Sequence, residues 1–233
     1  MPKKKFSVVC LSLLLLIAAT LAGLVGLLKY EPHFYRDSTI PPSAERTERS
    51  NKVVNQLLQL AVDLKFDQEN WHHEFCDFDI NSFFQEDFVK PGGPESLRKM
   101  GASDPRVAFQ DGVVRIAFRY GRGLWSTVIS CDLKVWVVPK ETNVVAVEVL
   151  ARRAGALPIA SQALIGPLTE ALAKRNIEVT PYRHEGHLVV LLHFHADQPR
   201  PMALLRCVQV APGQLSVEAS NGSKQDTACV VGK

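Results

Sequence analysis

Seven histidines and five cysteines are the side chains in this sequence best suited to hold a metal or attack a substrate. His193 and His195 stand two apart in an alternating run. On a strand both rings leave one face, joined by His187, a spacing that can supply two metal ligands. No third ligand or acid is placed beside them, and a solvated sheet face accounts for the pattern equally well, so no metal is expected. His184-Glu185-Gly186-His187 is one spacer short of the helical H-E-x-x-H pair and falls in a turn. Asp77 and Asp79 could share a strand face for acid–base work, but Asp79 has a competing use as a helix N-cap.

Nucleophilic catalysis finds no support. A G-x-S-x-G elbow is absent, and Gly121-Arg122-Gly123 joins two strands instead of opening a helix onto a phosphate. Cys131 and Cys207 fall in apolar strand patterns, where a free thiol behaves as a small buried hydrophobe. Cys76, Cys131, Cys207 and Cys229 lie outside the N-terminal apolar run, without a C-x-x-C, and allow three disulfide pairings among which the spacing does not choose. The expectation is a non-enzymatic protein without a cofactor.

The first thirty residues set where such a protein works. Lys3, Lys4 and Lys5 precede an apolar run from Phe6 to Leu28, closed by Lys29. Val8 to Leu28 spans about 31 Å as a helix, close to the thickness of a bilayer core. A cleaved signal has a shorter apolar region, and Thr20-Leu21-Ala22 is a poor cleavage site inside the run, so an uncleaved anchor is expected. The lysine bias predicts a cytoplasmic tail at 1–5, a single transmembrane anchor at 6–28 in the cell membrane, and an extracytoplasmic C-terminal domain. The net charge of +3 is mild, and no basic run interleaves with aromatics, which argues against nucleic acid as a partner.

Beyond the anchor, 29–43 reads as a proline-containing juxtamembrane linker, 44–219 as one α+β domain and 220–233 as a disordered tail. A helix is predicted over Ala44 to Leu64, with Val54, Leu57, Leu58, Ala61 and Leu64 inward. A short strand over Trp71 to Phe78 and a helix capped by Asp79 follow. Asp111-Gly112 predicts a type I′ hairpin. Leu124 to Val138 reads as one long strand with a bend at Ser130 to Asp132, followed by a strand over Val144 to Arg152. A second main helix is expected over Leu157 to Arg175, then a strand from His187 to His195 and a last hairpin around Pro212-Gly213. Together these predict a long, curved, mainly antiparallel sheet packed on two main helices.

The single anchor, Asp79-Ile80-Asn81 in a short helix, a long-stranded meander and Gly155-Ala156-Leu157-Pro158 entering a helix resemble membrane-anchored extracytoplasmic bacterial proteins similar to the tubular lipid-binding (BPI-like) superfamily. That resemblance implies a curved sheet wrapping a helix around an apolar groove, and a lipid-handling role. The apolar face of the long strand agrees with it. Trp125, Ile129, Leu133 and Val135 are the groove candidates on the sheet, and Leu164, Leu168, Ala171 and Leu172 those on the helix. Should the helices cover the sheet completely, the alternative is a scaffold module that binds an envelope protein partner without a pocket.

Overall fold

The computed structural model describes residues 3–63, 70–87, 101–139, 141–160, 166, 169–170, 172–173, 177–194 and 203–221, with the backbone alone for 3–10, 203 and 221. The apolar run forms α1 (Lys3–Leu28). Among the described residues it is the one helix long and apolar enough to cross a membrane, over Leu11–Leu28, and none of that stretch is buried. The proline-containing stretch after it is not bare coil. Pro32, whose ring presets φ, leads into α2 (His33–Asp37), which buries Tyr35.

Helix α3 (Ala44–Asp63) has the predicted span but not the predicted face. Its buried residues are Ser50, Val53 and Asp63, whereas Leu58 is 61% exposed and Leu57 and Val62 are also exposed. Polar side chains hold the inner side. Arg46 reaches Glu86 at 2.7 Å, Ser50 donates to Asp87, and His73 meets Asp63 at 2.8 Å. Strand β1 (Asn70–Cys76) then runs straight into α4 (Asp77–Glu86), whose N-cap is Cys76. Asp79 is therefore not the cap. It lies in the first turn, 1% exposed, and ties α4 to α3 through Arg49 at 2.9 Å and Lys52 at 2.7 Å.

The remaining elements are strands: β2 (Ala102–Gln110), β3 (Val113–Tyr120), β4 (Thr127–Val137), β5 (Val144–Ala154), β6 (Leu157–Pro158), β7 (Ile177–His184), β8 (His187–Phe194), β9 (Ala203–Ala211) and β10 (Gln214–Asn221). One sheet has the order β2-β3-β4-β5-β8-β7 with β6 on β5, and a second has the order β1-β10-β9. The pairings are antiparallel. The fold is thus α+β with a large antiparallel sheet. Asp111-Gly112 does form the β2–β3 turn, but only Gly112 has positive φ (69°), so the turn is not type I′. Leu157 and Pro158 pair with β5 instead of entering a helix; helical backbone is described only at 166, 169–170 and 172–173. Strand β7 was not expected.

The large sheet is covered on both faces near β3 and β4. Residues directly opposite in an antiparallel pair share a face. On one face Ala117 and Val128 pack with Tyr35 and Phe34 of α2. On the other, Val107, Phe109 and Val114 join Val210, with Ile80 and Phe84 of α4 and Leu215 of β10 packed against them. Asn81 locks this layer: its amide donates to the Val107 carbonyl at 2.7 Å and accepts from the Val107 N–H at 2.9 Å. The hairpin tips also interlock, Gly112 N donating to Val210 O at 3.1 Å and Gly213 N to Phe109 O at 2.9 Å.

Candidate functional site

The face that packs on α4 and β9–β10 is the one on which the groove was expected, and it divides into two zones. Leu133 lies opposite Val114 and Val149, and Val135 opposite Val147. Leu133 and Val135 both pack against the Val107–Phe109–Val114–Val210 cluster, so they belong to a filled core. Ile129 lies one zone further along, opposite Phe118 and Ala154, and Cys131 lies opposite Ile116 and Arg152. Here cover is incomplete. Ile116 and Tyr120 are exposed, and Phe118, Ile129 and Cys131 are half-buried. On the opposite face of the same strand Val128 is 1% exposed.

Trp125 lies before β4 and apart from this face, 91% exposed. Gly121 (φ 88°) and Gly123 (φ 56°) bend the chain before β4 begins, and Gly123–Trp125 is a 3₁₀ turn. A side chain at Gly121 would sit 2.7 Å from the Trp125 carbonyl, so the bend needs glycine there. Leu172 is half-buried in helical backbone. Leu164, Leu168 and Ala171 lie outside the described residues.

One charged group sits within the half-covered zone. Arg152 shares a row with Cys131 and Ile116, and its Nε and Nη1 are buried without a hydrogen-bond partner among the described residues. Burial pushes the Cys131 thiol above its ordinary value, and the nearby Arg152 charge opposes that rise. The thiol is therefore protonated and poorly nucleophilic at neutral pH. A guanidinium carries five donors and is stabilised by carboxylate or phosphate oxygens, which none of its neighbours supplies to these two nitrogens.

The other candidates find structural uses. His187 stands 3.5 Å from Glu148, half-buried His193 lies opposite Val144 and Glu178, and His195 is outside the described residues. Among the described residues no group of three His, Cys, Asp or Glu side chains is arranged to hold a metal. Asp77 accepts from the Phe109 N–H at 3.1 Å. Cys76 and Cys131 are free thiols, while Cys207 is disulfide-bonded and so is not the free buried thiol its strand pattern suggested. A depression between α3 and β1 is lined by the polar residues Glu48, Asn51, Lys52, Gln56, Gln59 and His73 and includes none of the groove candidates. Sequence patterning missed Arg152, because an arginine in a strand reads as solvent-facing. Comparison with protein-family models, with curated proteins and with solved structures finds no match to this chain.

Proposed function

We propose that this is a single-pass membrane-anchored protein whose extracytoplasmic domain binds a lipid or another apolar ligand that carries an anionic head, with no catalytic step. The observation that carries the proposal is the half-covered zone of Ile116, Phe118, Ile129 and Cys131 on the central strands, with Arg152 in its row, whose Nε and Nη1 lack a partner among the described residues. Apolar side chains there would lose water contact against an acyl chain, and Arg152 would gain the oxygens it lacks. The disulfide at Cys207 favours an oxidising compartment outside the cytoplasm. The length of α1 and the lysines before it favour a span with the N-terminus inside. The layout resemblance read from the sequence would imply the same role.

The test is photo-crosslinking of the full chain in vesicles that contain a photoactivatable fatty acid or phospholipid. Crosslinks are expected at Ile116, Phe118 and Ile129. Ile129→Trp, which fills the zone, should abolish them without lowering the melting temperature, because added bulk is tolerated only where space is unfilled. Crosslinks confined to α1, together with an unfolded Ile129→Trp variant, would replace this function by that of a scaffold module with a filled core.

A further inference from the structure

We infer that the Leu124–Trp125 turn is a second membrane contact, inserted at the boundary between lipid headgroups and acyl chains beside the end of α1; this rests on the proposed membrane span of α1. Leu124 is 88% and Trp125 91% exposed, the two most exposed large apolar side chains among the described residues. Their exposure is built in. Gly121 and Gly123 both hold positive φ, and Trp125 N donates to Arg122 O and Ser126 N to Gly123 O, each at 3.2 Å.

Its position identifies the partner. Lys29 Nζ donates to Ser126 O at 2.7 Å, and Thr127 Oγ1 donates to Leu28 O at 2.5 Å. Ala156 N donates to Leu27 O at 2.8 Å, and a side chain at Gly155 would strike that same carbonyl. The last turn of α1 is thus seated on the start of β4 and on the β5–β6 turn, one residue from Trp125. Leu24, Val25 and Leu27 of α1 are exposed up to this level, so the apolar surface passes from the helix to the turn. Tyr30 and Tyr120 are exposed in the same region, and Lys29 and the exposed Arg122 flank it. Tryptophan and tyrosine concentrate at the bilayer interface, and basic side chains there meet anionic headgroups. A protein partner would have to displace lipid from around the helix end to reach this pair.

The experiment is tryptophan fluorescence of the full chain reconstituted into vesicles of phosphatidylcholine and phosphatidylglycerol. Quenching by lipids brominated near the carbonyl end of the acyl chain is compared between the native chain and Trp125→Phe. Trp71 is buried and Trp136 half-buried, so Trp125 supplies the separable signal, and Phe at so exposed a site leaves the fold intact. The native chain should show a component quenched by bromolipid and shielded from aqueous iodide, and that component should be lost in Trp125→Phe. If the chain resists alkaline extraction but Trp125 is quenched by iodide and not by bromolipid, the span stands and the second contact is refuted. If alkaline carbonate releases the chain, the span fails and takes the second contact with it.

Discussion

Asn81 offers the sharpest test of how the domain is held together. Strand β2 lies at the edge of its sheet, and at Val107 its outward N–H and C=O are both bonded to the Asn81 amide, at 2.9 and 2.7 Å. Asn81 is 3% exposed, so water cannot take its place, and the Val107 side chain is fixed in the core. Asn81→Ala strands one buried donor and one buried acceptor, each costing about 1–3 kcal/mol, for a loss of about 2–6 kcal/mol. Asn81→Asp keeps the acceptor but turns the second oxygen toward the Val107 carbonyl, which raises the folded pKa of the introduced carboxyl. Its protonated form can donate and restores both bonds. The penalty relative to the native chain is therefore small below the unfolded pKa of about 3.9 and grows as pH rises through the folded value. Urea unfolding of the chain and both variants in micelles, at pH 4 and at neutral pH, reads this directly. A loss under about 0.5 kcal/mol for Asn81→Ala, below the usual worth of one such bond, would refute the reasoning. So would an Asn81→Asp deficit that is the same at both pH values.

Three further outcomes are expected. Arg152→Met should raise the stability of ligand-free protein by about 1–3 kcal/mol, since two buried donors without a partner are removed, while lipid crosslinking on the β3–β4 face falls; an unchanged or lower urea midpoint would mean that Arg152 is already satisfied. Gly155→Ala must push its Cβ against the Leu27 and Leu28 carbonyls at φ 62°, so hydrogen exchange should speed up at Ala156 as the end of α1 lifts, whereas Gly112→Val meets open space and should cost only its φ strain, about 1 kcal/mol or more. Burial raises the Asp79 carboxyl, but Lys52 and Arg49 outweigh it and hold the pKa below the usual carboxylate value, so its stabilisation is present above pH 3.8 and lost as pH falls through the folded value; acid unfolding of Asp79→Asn should show a shallower pH dependence than the native chain.

What could be read from the residues depended on whether the signal was local. The Asp111-Gly112 turn, strand β8 and the Pro212-Gly213 hairpin are carried by adjacent residues, and each is found where expected, although in β8 both Val189 and Val190 are buried and the in–out alternation is lost. The inward face of α3 was illegible because it is polar, and its partners Glu86, Asp79, Asp87 and His73 are distant in sequence. Strand β7 hid behind Pro181 and a mostly exposed edge position that imposes no alternation. The candidate groove was half legible. The parity of β4 correctly put Ile129, Leu133 and Val135 on one face, but carried through a glycine bend it misplaced Trp125. Which of the three meets a filled core depends on β9 and α4, elements that no local pattern connects to β4.

The pairing of β1 with β10 sets an order on assembly. Cys76 opposes Gln214 and Asn70 opposes Ser220, so the two strands are separated by more than half the chain. In a chain that emerges from its N-terminus, α3 and α4 can join as soon as both exist, and the β2–β3–β4 meander can zip up locally. Strand β1 has no strand partner until the final described hairpin arrives, and until then Trp71 and Phe75, both buried in the finished fold, remain open to water or to the wrong strand edge. Loop closure on this scale is slow to find but adds little entropy cost for each further residue, so the delay is mainly kinetic. Among the described strands the last to be made is therefore the one that finishes the first, and truncation before β10 would leave an aggregation-prone edge at β1.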